Sequence, residues 1–149
     1  MSAKSGRILA LDVGTKRVGV AFSDPLGLSA QPGPTLARRP SAPFYERLAS
    51  LIAEKEIETV VVGLPIGQEG QRSGISHEAV QALLLECRKR FPEVEWTTCD
   101  ERYTSIEASE ILLAAPKKRR AEKGLRDQIA AQLILERYLH ERPPSKEQP

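Results

Sequence analysis

Methionine and tryptophan each occur once in this chain, histidine and cysteine twice, and only seven side chains are aromatic. So few aromatics exclude an extensive stacking platform for single-stranded bases. Cys87 and Cys99 lack metal-type spacing and have no paired histidines beside them, which argues against a zinc site and against a disulfide framework. Cys87 falls on the apolar face of a helical pattern and reads as core. Nothing in the pattern assigns a role to Cys99, His77 or His140. No apolar run approaches the ~18 residues of a membrane span, and Met1-Ser-Ala-Lys4 is not followed by the hydrophobic region of a signal peptide. The expected location is the cytoplasm, with no membrane partner. A large excess of one charge is also missing. Twenty-two basic against 20 acidic residues leave a formal net charge of +2, too little to mark a nucleic-acid binder by bulk charge. The distribution says more, because Lys117, Lys118, Arg119 and Arg120 set four cations side by side. There is no internal repeat.

The 149 residues make one ordinary domain, long enough to bury roughly two-thirds of the surface of the unfolded chain. The expected organisation is a flexible N-terminus over 1–6, a folded domain over 7–141 and a disordered polar tail over 142–149. Ile8 to Leu11 is a short apolar run without helical spacing, hence a buried strand, and it ends in the carboxylate of Asp12. Gly14 turns the chain. Val18 to Phe22 then returns antiparallel to the first strand, so that Lys16 and Arg17 sit on the intervening turn. Pro32 to Leu36 suits a short edge strand with its prolines at the start. Arg38 to Pro43 reads as a loop. Phe44, Leu48, Leu51 and Ile52 mark a helix, with Ser41 as a candidate cap and Pro43 in the first turn.

Glu58 to Gly63 is the clearest buried strand, β-branched through its middle, and it runs into a glycine-rich loop from Leu64 to Gly74. Ala79, Val80, Leu83, Leu84 and Cys87 give the next helix, and Glu93 to Thr98 the next strand, followed by Asp100-Glu101-Arg102. Thr104-Ser-Ile-Glu107 is a capping box that opens a helix stopped by Pro116. A basic loop follows. Leu125 to Leu139 is a last helix with Ile129, Leu133, Ile134 and Tyr138 inward. Leading antiparallel strands, then strands alternating with helices, predict an α/β mixed sheet flanked by helices.

Three acidic positions stand out in this arrangement. Asp12 ends the first strand, Asp100 and Glu101 end the last, and Asp127 opens the final helix. If the strands run parallel and close together, their tips meet at the edge where α/β sheets hold ligands. Hard divalent cations such as Mg2+ or Mn2+ take carboxylate oxygens together with substrate phosphates. Blander readings compete. A helix cap or a first-turn acid is the simpler account of Asp127. A solvated turn paired with Arg102 would account for Asp100 and Glu101. Asp24, before Pro25, is turn chemistry. Asp12 resists such a reading, because it follows an apolar strand and precedes a glycine turn.

Four stretches together resemble the YqgF family, also called RuvX: Ile8-Leu-Ala-Leu-Asp-Val-Gly-Thr-Lys-Arg-Val-Gly-Val-Ala21, Val61-Val-Gly-Leu-Pro-Ile-Gly67, Asp100-Glu-Arg-Tyr-Thr-Ser105 and Asp127-Gln-Ile-Ala-Ala-Gln-Leu-Ile-Leu-Glu-Arg-Tyr-Leu139. They occur in the family's order across nearly the whole chain. The resemblance implies an RNase H-like fold shared with RuvC-type resolvases. It also implies a metal-dependent bacterial nuclease that matures the 5′ end of the 16S ribosomal RNA precursor. By position, Asp12, Glu101 and Asp127 match the family's catalytic and metal-binding acids. Asp100 stays open as an alternative ligand, because no acid stands on the strand ending Gly63-Leu64. Lys16, Arg17, Arg102 and the 117–120 cluster are the candidate nucleic-acid contacts.

Three further readings remain for comparison. A Holliday junction resolvase acting on branched DNA needs a symmetric dimer, and no amphipathic helix is left over for an obligate interface, so a monomer or weak homodimer acting on precursor RNA is expected. A non-catalytic RNA-binding adaptor would keep the fold and lose the chemistry. Asp12-Val-Gly-Thr15 also resembles the phosphate loop of actin-like ATPases, but those clamp the nucleotide between two such lobes and this length supplies one.

Overall fold

Ile8 to Val13 forms a central strand because apolar side chains on both of its faces find cover. The computed structural model describes residues 7–64, 75–100, 114 and 125–141. Five strands, β1 (Arg7–Val13), β2 (Arg17–Ser23), β3 (Ala30–Ala37), β4 (Ile57–Leu64) and β5 (Glu95–Asp100), form one sheet in the order β3-β2-β1-β4-β5. β2 pairs antiparallel with β1 and with β3, while β4 runs parallel to both β1 and β5. The described helices are α1 (Ser41–Glu54), α2 (His77–Arg90) and α3 (Leu125–Glu141). This is the mixed sheet flanked by helices that the pattern predicts.

The period of two along each strand divides the core. Leu9, Leu11, Val18, Val20, Val60 and Val62 pack on one face with Phe44 and Leu48 of α1 and Val80, Leu84 and Cys87 of α2. Ile8, Ala10, Ala21 and Val61 pack on the other with Ala131, Ile134 and Leu135 of α3. Small side chains on both surfaces let α3 lie close, and it touches all five strands. Truncating one fully buried leucine such as Leu9 or Leu48 to alanine would cost about 2–5 kcal/mol. Among the described residues no helix is long and apolar enough to cross a membrane.

Several boundaries differ from those predicted. β3 begins at Ala30, so Pro32 and Pro34 lie inside it. It tolerates them because it is an edge strand, with only its inner side hydrogen-bonded to β2. Ser41 is the first helical residue of α1 and Pro40 holds the N-cap position, so no side-chain oxygen caps this helix. The hydroxyl of Ser76 does cap α2, accepting the Ala79 N–H at 3.1 Å; the apolar pattern alone did not mark it. β5 is shifted toward the C-terminus, because Val94 N–H donates back to the Phe91 carbonyl at 3.2 Å and Trp96 Nε1–H to the same oxygen at 3.1 Å. That turn occupies the expected first residues of the strand and carries Asp100 into the sheet. In α3, Ile129 and Ile134 are buried as predicted, Leu133 and Tyr138 half-buried, and Ala130, Ala131 and Leu135 join them. The predicted helix between Thr104 and Pro116, most of the glycine-rich loop and the basic loop lie outside the described residues.

Candidate active site at the sheet edge

β1, β4 and β5 run in one direction, so their C-terminal ends share one edge of the sheet. Asp12 is the penultimate residue of β1 and is half-buried. It alternates with Ile8 and Ala10, which belong to the cluster under α3, so its side chain is on that face. The pairing assigns its neighbours. Asp12 is opposite Gly19 of β2, and Gly19 is opposite Thr35 of β3. On the other side Leu11 pairs with Val62, which sets Asp12 level with Gly63, itself opposite Cys99 of β5.

Thr35, Gly19, Asp12, Gly63 and Cys99 therefore form one row across the sheet, and the acid stands between two buried glycines. Neither neighbour offers a side chain to crowd the carboxylate. The acid is half-buried and its backbone is locked in the sheet between β2 and β4.

The turn after Asp12 is tightly tied. Gly14 N–H donates to the Arg17 carbonyl at 2.8 Å. A Cβ on Gly14 would lie 3.0 Å from that oxygen, so the turn has little room for a larger residue. Arg38 locks it from outside. Its main-chain N–H donates to Lys16 O at 2.9 Å, and its Nη1 donates to Gly14 O at 3.2 Å and to Thr15 O at 3.4 Å. Lys16 is exposed on the turn, as predicted, while Arg17, also exposed, is the first residue of β2. Sequence reasoning treated Arg38 as part of a loop and missed this positioning role. Its only sequence signal is an arginine at the close of an edge strand.

Asp100 ends β5 in register with Leu64, one residue beyond the Asp12 row. β4 lies between β1 and β5, so Asp12 and Asp100 are separated in the sheet plane by about 10 Å of backbone, two strand spacings. Asp127 is the third residue of α3, inside the helix and not at its cap. α3 lies on the face to which Asp12 belongs. The structure thus brings the strand ends together at one edge and lays the helix carrying Asp127 over the sheet. The side chains of Asp100 and Asp127 lie outside the described residues, as do Glu101, Arg102 and Lys117 to Arg120. Among the described residues no three acidic, histidine or cysteine side chains converge.

Two other sequence assignments are directly visible. Asp24 Oδ1 accepts N–H bonds from Leu28 at 2.7 Å and Ser29 at 2.8 Å, closing the β2–β3 turn. The Ser29 bond holds its carboxyl below the usual carboxylate range. Cys87 is buried, and desolvation pushes its thiol up to about 12, which makes it a core residue and a poor nucleophile.

Similar proteins extend this picture. A family profile described as "RuvX: Holliday junction resolvase" matches residues 6–141. A protein of Koribacter versatilis named "Putative pre-16S rRNA nuclease" is 40% identical over 149 residues, covering 99% of this chain and 95% of its own. One of the same name from Listeria innocua is 42% identical over 141 residues, covering 89% of this chain and 96% of its own. Among solved structures, Thermus thermophilus RuvC in complex with a Holliday junction substrate is similar with a TM-score of 0.57 at 13% identity, over 91% of this chain and 97% of that one. At that identity the likeness speaks for the fold, which is RNase H-like. With four-tenths of its residues identical to relatives of matching length, and a profile covering residues 6–141, this chain belongs to the RuvX family.

Proposed function

We propose that the protein is a metal-dependent nuclease that hydrolyses phosphodiester bonds and processes the 5′ end of the 16S ribosomal RNA precursor in the cytoplasm. The observation that carries the reading is Asp12, an acid at the end of a central strand, between two glycines and on the face covered by α3. The names of relatives that match the chain over nearly its whole length support the substrate.

The ligands proposed for the metal are Asp12, Glu101 and Asp127. These donors are all carboxylate oxygens, which suits Mg2+ or Mn2+ and not a soft or zinc-type ion. When bound there, such a cation supplies positive charge against the phosphate and makes a water a stronger nucleophile. Glu101 is taken over Asp100 as the partner of Asp12 because it matches the acid of the family's Asp-Glu-Arg motif.

The remaining work falls to the chain's own cations. Lys16 and Arg17, at the turn that Arg38 fixes, hold the backbone phosphate close to Asp12. Arg102 and the cluster of Lys117, Lys118, Arg119 and Arg120 extend that contact along the strand. In-line displacement requires the attacking water and the leaving oxygen on opposite sides of phosphorus, so a phosphate held rigidly contributes through orientation.

A second reading has its own support. The family description and the RuvC likeness both point to a resolvase cutting a four-way DNA junction. Rates on precursor RNA spanning the mature 5′ end and on a four-way junction, measured side by side with Mn2+ at equal concentration, separate the two. Faster RNA cleavage is expected from a monomer or weak dimer. Symmetric nicking of the junction at the higher rate would overturn that choice.

A further inference from the structure

A cavity of about 290 Å³ opens at the junction of β3 and α1, close to the lower end of the ~300–1,000 Å³ usual for ligand pockets. Arg38, Arg39, Ser41 and Tyr45 form its polar wall, and Phe44 and Leu83 contribute apolar surface. No lining residue is acidic, and two are guanidinium groups. Tyr45, like any tyrosine, is protonated at neutral pH and offers its hydroxyl as a donor, and burial shifts the phenol further up. Arg90 stacks over the Tyr45 ring at 4.1 Å, its charge balanced by Glu86 at 2.8 Å. Pro40 brings no side-chain oxygen to the start of α1, and the first turn contains no acid. Every polar group on this wall suits an anion.

The cavity is mechanically joined to the site at the sheet edge. β3 is parallel to β1, so its C-terminal residue Ala37, paired with Arg17, lies at the edge where β1 ends. Arg38 lines the cavity and also donates to the carbonyls of Gly14 and Thr15. Gly14 is two residues beyond Asp12, about 7 Å of extended chain. The cavity lies on the face covered by α1 and α2 and Asp12 on the face covered by α3, so a strand touching both would cross the C-terminal edge of the sheet past the exposed Lys16 and Arg17.

We propose that this cavity is a backbone-phosphate subsite for the nucleic-acid substrate, with Arg39 as the contacting cation and Arg38 as the residue that couples the subsite to the turn after Asp12. The inference rests on the nuclease reading and adds to it residues outside the four family stretches. An arginine fork matches two phosphate oxygens at once, which an ammonium does not. Arg39 is exposed, so its replacement tests binding without disturbing the core.

The experiment measures binding of a labelled single-stranded RNA, without divalent metal, across a salt series. Arg39→Ala is expected to weaken binding several-fold near 0.1 M salt and to lower the slope of log affinity against log salt by about 0.7, the value of one single-strand phosphate contact. Arg39→Lys should restore the slope and only part of the affinity. In cleavage assays with Mn2+, Arg39→Ala should raise KM and leave kcat in place. Lys89→Ala, an exposed position of α2 outside the cavity lining, is the control and should leave the slope unchanged. Equal binding and slope in wild type and Arg39→Ala would overturn the proposal, as would an equal effect of Lys89→Ala. Inorganic phosphate tests the other source of the same chemistry. If phosphate binds tightly alone, and Arg39→Ala abolishes that while RNA binding is unchanged, the cavity is a free-phosphate site and the proposal falls. A wild-type chain that binds RNA with this Arg39 dependence yet never cleaves it would overturn the nuclease reading alone.

Discussion

Replacing Asp12 with asparagine removes one negative charge from the row between Gly19 and Gly63 and leaves the shape nearly intact. Three consequences have different sizes. A phosphate held ~6 Å from the lost charge was repelled by about 0.7 kcal/mol in water, or about 0.3 kcal/mol after physiological screening. RNA affinity should therefore hold or rise by up to about threefold. The unliganded fold should barely change, since the substituted amide keeps the place of the carboxylate in β1. The loss should appear with metal. A site ligand at ten times its Kd contributes about 1.4 kcal/mol to wild type, or roughly 3–6 °C in Tm for a chain of this size. The variant should lack most of that shift. Cleavage should fall by at least about a hundredfold, since even outer partners of metal ligands cost about 10–100-fold. The assay compares thermal melts with EDTA and with Mn2+, RNA binding without metal, and Mn2+-dependent cleavage, all on the same preparation. A folded variant that keeps both the Mn2+ shift and its cleavage would refute the assignment of Asp12.

Asp127→Asn should cost no more than about 0.3–1 kcal/mol, the usual worth of an acid in a first helical turn, while most activity is lost; a stable, active variant would return Asp127 to a structural role. Replacing Lys117, Lys118, Arg119 and Arg120 with alanine should weaken binding across sequences and flatten the salt dependence by about 0.7–0.9 per lost contact, and an unchanged slope would mean the substrate runs elsewhere. The Asp24 carboxyl lies below its ordinary value of 3.8 in the fold. Its stabilising effect is therefore fully present above that value and lost as pH falls through the lower folded one, so Asp24→Ala should lower Tm at pH 7 and converge with wild type in strong acid. Cys87, with its thiol pushed up to about 12, should resist alkylation at pH 8 until the chain unfolds, as peptide mapping would report.

Local patterns in the chain already determined a good deal. The apolar run ending at Asp12, the glycine turn, the β-branched β4 and the spacing of α1, α2 and α3 each follow from burial acting with a period of two or 3.6, which neighbours in sequence record. The same patterns carried the family resemblance and thereby the choice of Asp12, Glu101 and Asp127 as candidate ligands. The ends of elements were less legible, because pairing decided them. β3 gained two residues before Pro32 by bonding to β2, and β5 slid to Asp100 once Trp96 and Val94 bonded back to Phe91. Only the tertiary structure decided that β4 enters between β1 and β5, which sets Gly63 beside Asp12 and leaves the acid flanked by glycine on both sides. It also brought Arg38 onto the turn at Gly14, 24 residues away in sequence. No local period encodes such contacts, since they depend on which strand edges meet and on the direction in which the chain leaves them.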